Sequence, residues 1–398
     1  MRFHVLGIGP LGSLVAHHLR RAIPPTHSIT LLYNKPRTAR HAPQSFHIQT
    51  GGSLTASSGF LHETFETSDN KDLGTAAQSN ESIDSLFVTT RAPSTLHTIR
   101  KLYPRLSPNS TIVLVQNGLG VYEELIQNVF RNPQERPHFI FASSTHAMFF
   151  PSSSALFGGR STLLHPEVGH VEFAIVPDLY GRNFEAGFLD ENVHASERRA
   201  RLSDITTPED PQFERYQSLR NTVAALLLAE PLNAHWKSLA TVQLALRRKL
   251  VVQSVIHPLT AIMGCRNGDV FSSENAVRIA ARLCREASDV YGAQIREETK
   301  AWLAASDSDM GGLLGIARLP RALDAQSLTR ECLRISQTSQ GAVSNMLSAL
   351  RAGKRTEIDY LNGYLVKLGK TYDVPMPANA TIYNLVRMRS ALPIDQIL

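Results

Sequence analysis

The sequence predicts an α/β fold, in which a doubly wound parallel sheet is followed by an all-α C-terminal domain, and three features point to it. Short apolar, β-rich runs alternate with segments of helical spacing through the first half. A glycine-rich turn, "HVLGIGPLGS", separates the first strand from the first helix. From about residue 216 onward the pattern is helical almost throughout. A chain of 398 residues with 42% hydrophobic content can bury two sizeable cores. The expected division is 1–177 for the sheet domain, 178–215 for a polar insertion or linker, and 216–398 for the helical domain.

The elements follow in chain order. "RFHVLGI" reads as a strand, "LGSLVAHHLRRA" as a helix and "HSITLLY" as a second strand. "IDSLFVTT", "STIVLVQ" and "HFIFASS" are apolar and rich in β-formers, as strands buried on both faces of a parallel sheet tend to be. "PSTLHTIRKLY" and "GVYEELIQNVF" between them carry helical spacing. "ALFGGRSTLLH" and "GHVEFAIV" read as antiparallel strands appended to the same sheet. Residues 178–215 are charged and poor in aliphatic side chains, hence the reading as an insertion or surface linker. "SLRNTVAALLLAE", "ENAVRIAARLCREASDVYGAQ", "SLTRECLRISQTSQGAVSNMLSALRAG" and "EIDYLNGYLVKLGKTY" are the clearest later helices, with a second polar interruption near 303–322.

In the glycine turn, Gly7, Gly9 and Gly12 fall in the order G-x-G-x-x-G behind a strand and at the opening of a helix. The first glycine permits the tight turn, the second lets backbone approach a pyrophosphate, and the third allows close helix–strand packing. The helix start adds unpaired N–H groups and partial positive charge. This is the sequence form of a Rossmann-type dinucleotide site, with Gly7, Ile8, Gly9, Pro10, Leu11 and Gly12 as its cofactor-binding loop. The end of the second strand reads "LLYNKPRTAR", without the acid that would bond a ribose 2′-hydroxyl and with Lys35, Arg37 and Arg40 in its place. Cations there suit a 2′-phosphate, so NADP(H) is the expected cofactor, although solvated side chains would read the same. Arg91 in "VTTRAPS" and Asn117 in "VQNGLG" follow later strands, at the sheet edge where ligands bind in such folds. An Asn-Gly pair can also be a plain turn.

Composition narrows the field. No apolar run approaches the roughly 20 residues that span a bilayer, and the strand pattern begins at residue 2, leaving no room for a secretory or cleavable mitochondrial leader. The expected compartment is the cytoplasm, with mitochondrial import by another route left open. Cys265, Cys284 and Cys332 have no paired spacing; they read as buried free thiols, with no zinc pattern and no metal site. The net charge of +6 is spread along the chain and argues for an anionic small molecule over nucleic acid. Oligomeric state, a homodimer included, is not legible in the sequence.

One stripe stands out in the helical half. Lys249, Gln253 and His257 recur at intervals of four within an apolar run. At about 100° per residue they share one helix face, spread over roughly 12 Å. A solvated face would look the same. Pro258 is expected to kink or end the helix near His257.

Together, "GIGPLGS", "VQNGLG", "THA" at 145–147, "RKLVVQSVIHPLTAIMGCRNG" and "TEIDYLNGYLV" resemble the ketopantoate reductase family, in order and across both domains apart from the polar interruptions. The resemblance implies NADPH-dependent reduction of ketopantoate to pantoate, on the route to pantothenate and coenzyme A. It implies that Lys249 and Glu357 are the catalytic pair, that Asn117 lies beside the nicotinamide, and that Arg91 replaces the family's usual lysine. It also carries substrate contacts onto Gln253, His257 and Asn345, with Ser344 beside the last. Here the sequence departs from the family, which commonly has asparagine at the first two positions and serine at the third. Glutamine moves its amide head by about an ångström or more, and a histidine ring can change charge near neutral pH.

On this reading the stripe faces the cleft between domains, and Lys249 stabilises the developing alkoxide of a 2-oxo acid and donates its proton. Desolvation would lower its pKa toward neutrality, while Glu357 would either favour the charged lysine or bond a substrate hydroxyl. Without the resemblance, Lys249 beside Arg247 and Arg248 reads as a solvated face, and Glu357 as a carboxylate at a helix N-terminus. Lys237 is the rival lysine, and His146 of "THA" is left outside the site. Two other functions stay open: reduction of another branched 2-oxo acid, and a non-catalytic binding or regulatory role.

Overall fold

Strand β1 (Arg2–Leu6) leads through the glycine turn into α1 (Pro10–Ala22), then β2 (Ser28–Tyr33) and the short α2 (Pro36–Arg40). Three strands follow, β3 (Ser45–Thr50), β4 (Ser53–Ser58) and β5 (Leu61–Thr64). Next come β6 (Ser85–Val88), α3 (Ala92–Leu102), β7 (Thr111–Leu114), α4 (Val121–Asn128), β8 (His138–Ser144) and β9 (Ala147–Phe149). Strands β10 (Arg160–Glu167) and β11 (Val171–Ile175) precede α5 (Leu202–Ile205), α6 (Phe213–Leu228) and β12 (Ala234–Trp236). The remainder is helical: α7 (Leu239–Met263), α8 (Glu274–Ala305), α9 (Ala325–Thr338), α10 (Asn345–Arg351), α11 (Asn362–Thr371) and α12 (Pro377–Ala391). The computed structural model describes residues 1–65, 81–151, 160–305 and 318–392. Much of the expected 303–322 interruption, and the start of the "ALFGGRSTLLH" strand, lie outside them.

The chain forms two compact units. The first holds residues 1–116 and 122–242, the second 117–121 and 243–398. In the first, eight strands run in the order β12-β11-β8-β7-β6-β1-β2-β5. The six from β8 to β5 pair in parallel, and β11 pairs antiparallel with β8. Chain order reverses at β1, whose neighbours are β2 and β6, so the topological switch point lies beyond Leu6 and Val88. Its core joins Val5, Leu31, Phe87, Val113 and Ile140 from the strands with Val15 and Leu19 of α1.

Three expectations change. Strand β10 does not extend the main sheet; it pairs parallel with β3 and antiparallel with β9 in a separate sheet ordered β4-β3-β10-β9. The helical unit does not begin at 216, because Tyr216, Leu219, Val223 and Leu226 of α6 bury themselves in the sheet's core, and the division falls inside α7 instead. Of the two readings of residues 178–215, the surface linker does not hold and the insertion does: Phe184 and Ile205 join that core. Arg182 pairs with Asp210 and lies over the Tyr216 ring, whose hydroxyl donates to Asp178 at 2.6 Å.

The second unit packs α7 to α12 around Val255, Leu283, Tyr291, Leu328, Leu347 and Leu365. Cys284 and Cys332 are buried, free and 3.9 Å apart, whereas Cys265 is only half-buried. Among the described residues no helix is long and apolar enough to cross a membrane.

Candidate active site

The glycine turn is built by sterics. Gly7 has φ +97°, and a Cβ there would lie 2.6 Å from the Thr90 nitrogen, on the neighbouring strand's exit. A Cβ on Gly12 would lie 2.2 Å from the Gly7 carbonyl oxygen. That carbonyl accepts from the Gly9 N–H at 2.8 Å and from the Thr89 hydroxyl at 2.7 Å, which locks the turn. A Cβ on Gly9, by contrast, would meet nothing within 4 Å. The backbone above Gly9 is open to a close approach, as a pyrophosphate needs. Ile8 and Leu11 pack their side chains on the sheet core, so their contribution to the turn is backbone. Pro10 opens α1, and no acidic residue in the first turn offsets the helix's partial positive charge.

Beyond β2, Lys35 is exposed immediately after Asn34, and Arg40 is exposed on α2. Arg37 lies on α2, but its side chain is outside the described residues. Arg91 is exposed at the N-cap of α3, three residues past the end of β6. The Gln116 amide donates to the Thr90 carbonyl at 2.6 Å and ties the ends of β7 and β6 together. Thr89 and Gln116 were not singled out in the sequence. Their only trace there is a place at the C-terminal end of the strand-like runs "IDSLFVTT" and "STIVLVQ".

Asn117 belongs to the helical unit. It opens a turn in which Gly118 has φ +84° and presses on Tyr360; a Cβ would lie 2.8 Å from the Tyr360 oxygen. The Leu119 N–H donates to that same oxygen at 3.1 Å. The bare Asn-Gly turn of the sequence is therefore a strap that carries Asn117 onto the segment following Glu357.

Lys249, Gln253 and His257 lie half-buried along one face of α7, between the fully buried Leu250, Val251, Val255 and Ile256. Desolvation lowers the Lys249 pKa to about 8, and the Glu357 carboxylate opposes that shift. Glu357 is buried and precedes the 3-10 turn Ile358–Tyr360, yet its side chain does not cap that turn. Glu357 thus stands at a helix N-terminus without a capping bond to it, and its charge is felt by Lys249. His257 is lowered to about 4 by desolvation and by the Lys249 charge. Its ring does not change charge near neutral pH, contrary to expectation. Gln253 Oε1 and His257 Nδ1 are buried without a hydrogen-bond partner.

Pro258 does not end the helix, which runs on to Met263. Asn345 is exposed in the first turn of α10, while Ser344 is the buried N-cap and accepts from the Leu347 N–H at 3.1 Å. Ser344 Oγ also lies 2.8 Å from Thr260 Oγ1, itself 2.9 Å from the His257 carbonyl. Ser344 is thus consumed by structure, and it anchors Asn345 near the His257 end of the stripe. His146 is structural as well: it lies 3.0 Å from both His165 Nε2 and the Leu232 carbonyl, in the first unit. Lys237, too, belongs to the first unit, whereas Lys249 belongs to the second.

Residues 3–157 match the family model described as "Ketopantoate reductase PanE/ApbA", and residues 241–390 match "Ketopantoate reductase PanE/ApbA C terminal". The chain is 24% identical to the probable 2-dehydropantoate 2-reductase of Schizosaccharomyces pombe, over 98% of this chain and 96% of that one. It is 23% identical to the 2-dehydropantoate 2-reductase of Saccharomyces cerevisiae, over 98% and 94%. In fold it is similar to D-mandelate dehydrogenase solved with NADH and anilino(oxo)acetate, with TM-score 0.64, 14% identity and 98% of each chain covered. A PanE/ApbA family ketopantoate reductase from Ralstonia eutropha superposes with TM-score 0.61 at 17% identity, again over 98% of each. With both family models matched in order, the chain belongs to the ketopantoate reductase family of oxidoreductases.

Proposed function

We propose that the protein is a nicotinamide-dependent 2-oxoacid reductase, and that it reduces 2-dehydropantoate (ketopantoate) to pantoate with NADPH, a step toward pantothenate and coenzyme A. The observation that carries this reading is the desolvated Lys249, with a pKa of about 8, opposed by a buried Glu357 that caps no helix. An ammonium in that state is still charged at pH 7 and close enough to neutrality to release its proton.

The glycine turn fits the dinucleotide. Gly7 and Gly12 have no room for a side chain, and Gly9 leaves its backbone open for the pyrophosphate. Lys35, with Arg37, would take a 2′-phosphate, and Arg91 would add charge at the sheet edge. When bound, the cofactor supplies a hydride to the carbonyl carbon of the substrate. The Lys249 ammonium stabilises the negative charge growing on the carbonyl oxygen and passes it a proton. Glu357 keeps Lys249 protonated against desolvation. Asn117 orients the reacting groups, while Gln253, neutral His257 and Asn345 bind the substrate's carboxylate and hydroxyl.

A second substrate has an observation in its favour. Gln253 Oε1 is an unpartnered acceptor and His257 Nδ1, donor or acceptor by tautomer, is unpartnered too, where the family resemblance expects two asparagines. This donor–acceptor pattern suits another branched 2-oxo acid, and the fold likeness to D-mandelate dehydrogenase is compatible with it. The non-catalytic alternative is disfavoured by the joint retention of the glycine turn, Asn117, Lys249 and Glu357.

The test is oxidation of NADPH and NADH with ketopantoate and a series of branched 2-oxo acids, using wild type and Lys249→Ala. Loss of a general acid lowers kcat by roughly 10²-fold or more. An unchanged Lys249→Ala rate would remove Lys249 from the mechanism, and a tenfold preference for another acid would replace the substrate.

A further inference from the structure

We propose that Asn362 is a positioning residue: its amide replaces the backbone N–H that Pro258 lacks, and so fixes the Lys249–Gln253–His257 face of α7. This inference rests on the proton-donor reading of Lys249.

In an unbroken α-helix, the carbonyl of residue 254 accepts from the N–H of residue 258. Proline has no such hydrogen, so the Ser254 carbonyl is left without its helical donor deep inside the unit. The Asn362 Nδ2 group donates to that carbonyl at 3.0 Å. The orientation of this amide follows from its surroundings. Buried Glu286 accepts from the Ala378 and Asn379 N–H groups at 2.9 and 3.0 Å and from Asn379 Nδ2 at 2.9 Å. Asn379 must therefore turn its Oδ1 toward Asn362, and only a donor satisfies it; Asn362 Nδ2 lies 3.0 Å away. Both Asn362 protons are thereby spoken for, one by Asn379 and one by Ser254. Asn362 and Asn379 are fully buried.

The position of this bond links it to the chemistry. Ser254 sits between Lys249 and His257 and directly follows Gln253. Asn362 is the first residue of α11, five residues beyond Glu357 and two beyond the Tyr360 carbonyl that holds the Asn117 strap. One amide thus joins the helix of the proton donor to the segment of its carboxylate, at the point where proline would otherwise let the helix flex. A helix free to bend there would change the distance on which the Lys249 pKa depends.

The experiment compares wild type, Asn362→Leu, Pro258→Ala and the double variant. Asn362→Leu orphans a buried carbonyl, so kcat is expected to fall about tenfold or more. The alkaline limb of its pH profile should move, with KM for the nicotinamide cofactor unchanged. Pro258→Ala alone should behave as wild type, since it restores the missing N–H. In the double variant, kcat and the pH limb should return to within about threefold of wild type, as a backbone donor again serves Ser254. Its Tm should recover only in part, because Asn379 Oδ1 stays unpaired. A purely structural role would instead move Tm and kcat together. A folded double variant as slow as Asn362→Leu overturns the proposal, as does an Asn362→Leu protein with wild-type kcat and pH profile. Should wild type reduce no 2-oxo acid, the proposed function fails, and amide exchange in residues 254–262 decides the tie. Faster exchange in Asn362→Leu, restored by Pro258→Ala, supports it, and equal exchange in all the proteins overturns it.

Discussion

Lys249 and Glu357 form a pair whose strength has a pH signature. With the lysine pKa at about 8, the reductase rate should hold through neutrality and fall as pH rises past 8, when the proton is lost. Glu357 raises that pKa against desolvation, so Glu357→Gln removes only the raising influence. The alkaline limb must then move to lower pH, and pH–kcat profiles of the two proteins check the sign. His257, lowered to about 4, should add no ionisation between pH 5 and 8. At this scale the sequence was legible in part. The interval of four put three polar side chains on one face, but only the resemblance separated that face from a solvated one. It could not show that Ser344 is spent as a helix cap while Asn345 stays exposed, because capping depends on where α10 begins. Nor could it show that Pro258 is tolerated, since the compensating donor lies about a hundred residues away in sequence.

The strand–turn–helix element makes a contrast between two glycines. Gly12→Ala would push a methyl group to 2.2 Å from the Gly7 oxygen, so it should cost about 1–3 kcal/mol as overpacking. Gly9→Ala meets nothing within 4 Å and sits in extended backbone, so Tm should stay within about 1 °C. On the proposed cofactor site it should nevertheless weaken binding by about tenfold or more, because the methyl would stand where the pyrophosphate approaches. Thermal unfolding and titration with NADPH separate the two. This element was fully legible, since glycine spacing records backbone sterics locally. The sheet β4-β3-β10-β9 was not. Its strands alternate polar and apolar side chains over six residues or so, "SFHIQT" and "SLTASS" among them, and β3 finds its parallel partner more than a hundred residues away. Alternation marks a strand but names no partner, so the pairing of β3 with β10 could not be read from it.

For the whole molecule, buried histidines set acid tolerance. His4, His17 and His138 are lowered to about 4 and His18 to about 3, all chiefly by desolvation. Their unfolded values are near 6.5, so they cost nothing above that pH. As pH falls from about 6.5 toward 4, the unfolded chain takes up protons that the folded one refuses, and stability is lost. Tm should therefore drop across that window. His18→Leu, which removes a ring with both nitrogens unpartnered, should flatten the drop. The two-core organisation was legible from composition, but the boundary was not, because α6 is helical in pattern and loyal to the sheet in packing. That boundary has a practical corollary for dissecting the protein. The second unit is discontinuous, and five residues, 117–121, are inserted in the sequence of the first. A recombinant fragment starting at 243 would lack Leu119 as the donor to Tyr360 and leave a hydrophobic notch where the strap had been. To express the helical half by itself, one would have to graft that pentapeptide back, for example through a circular permutation.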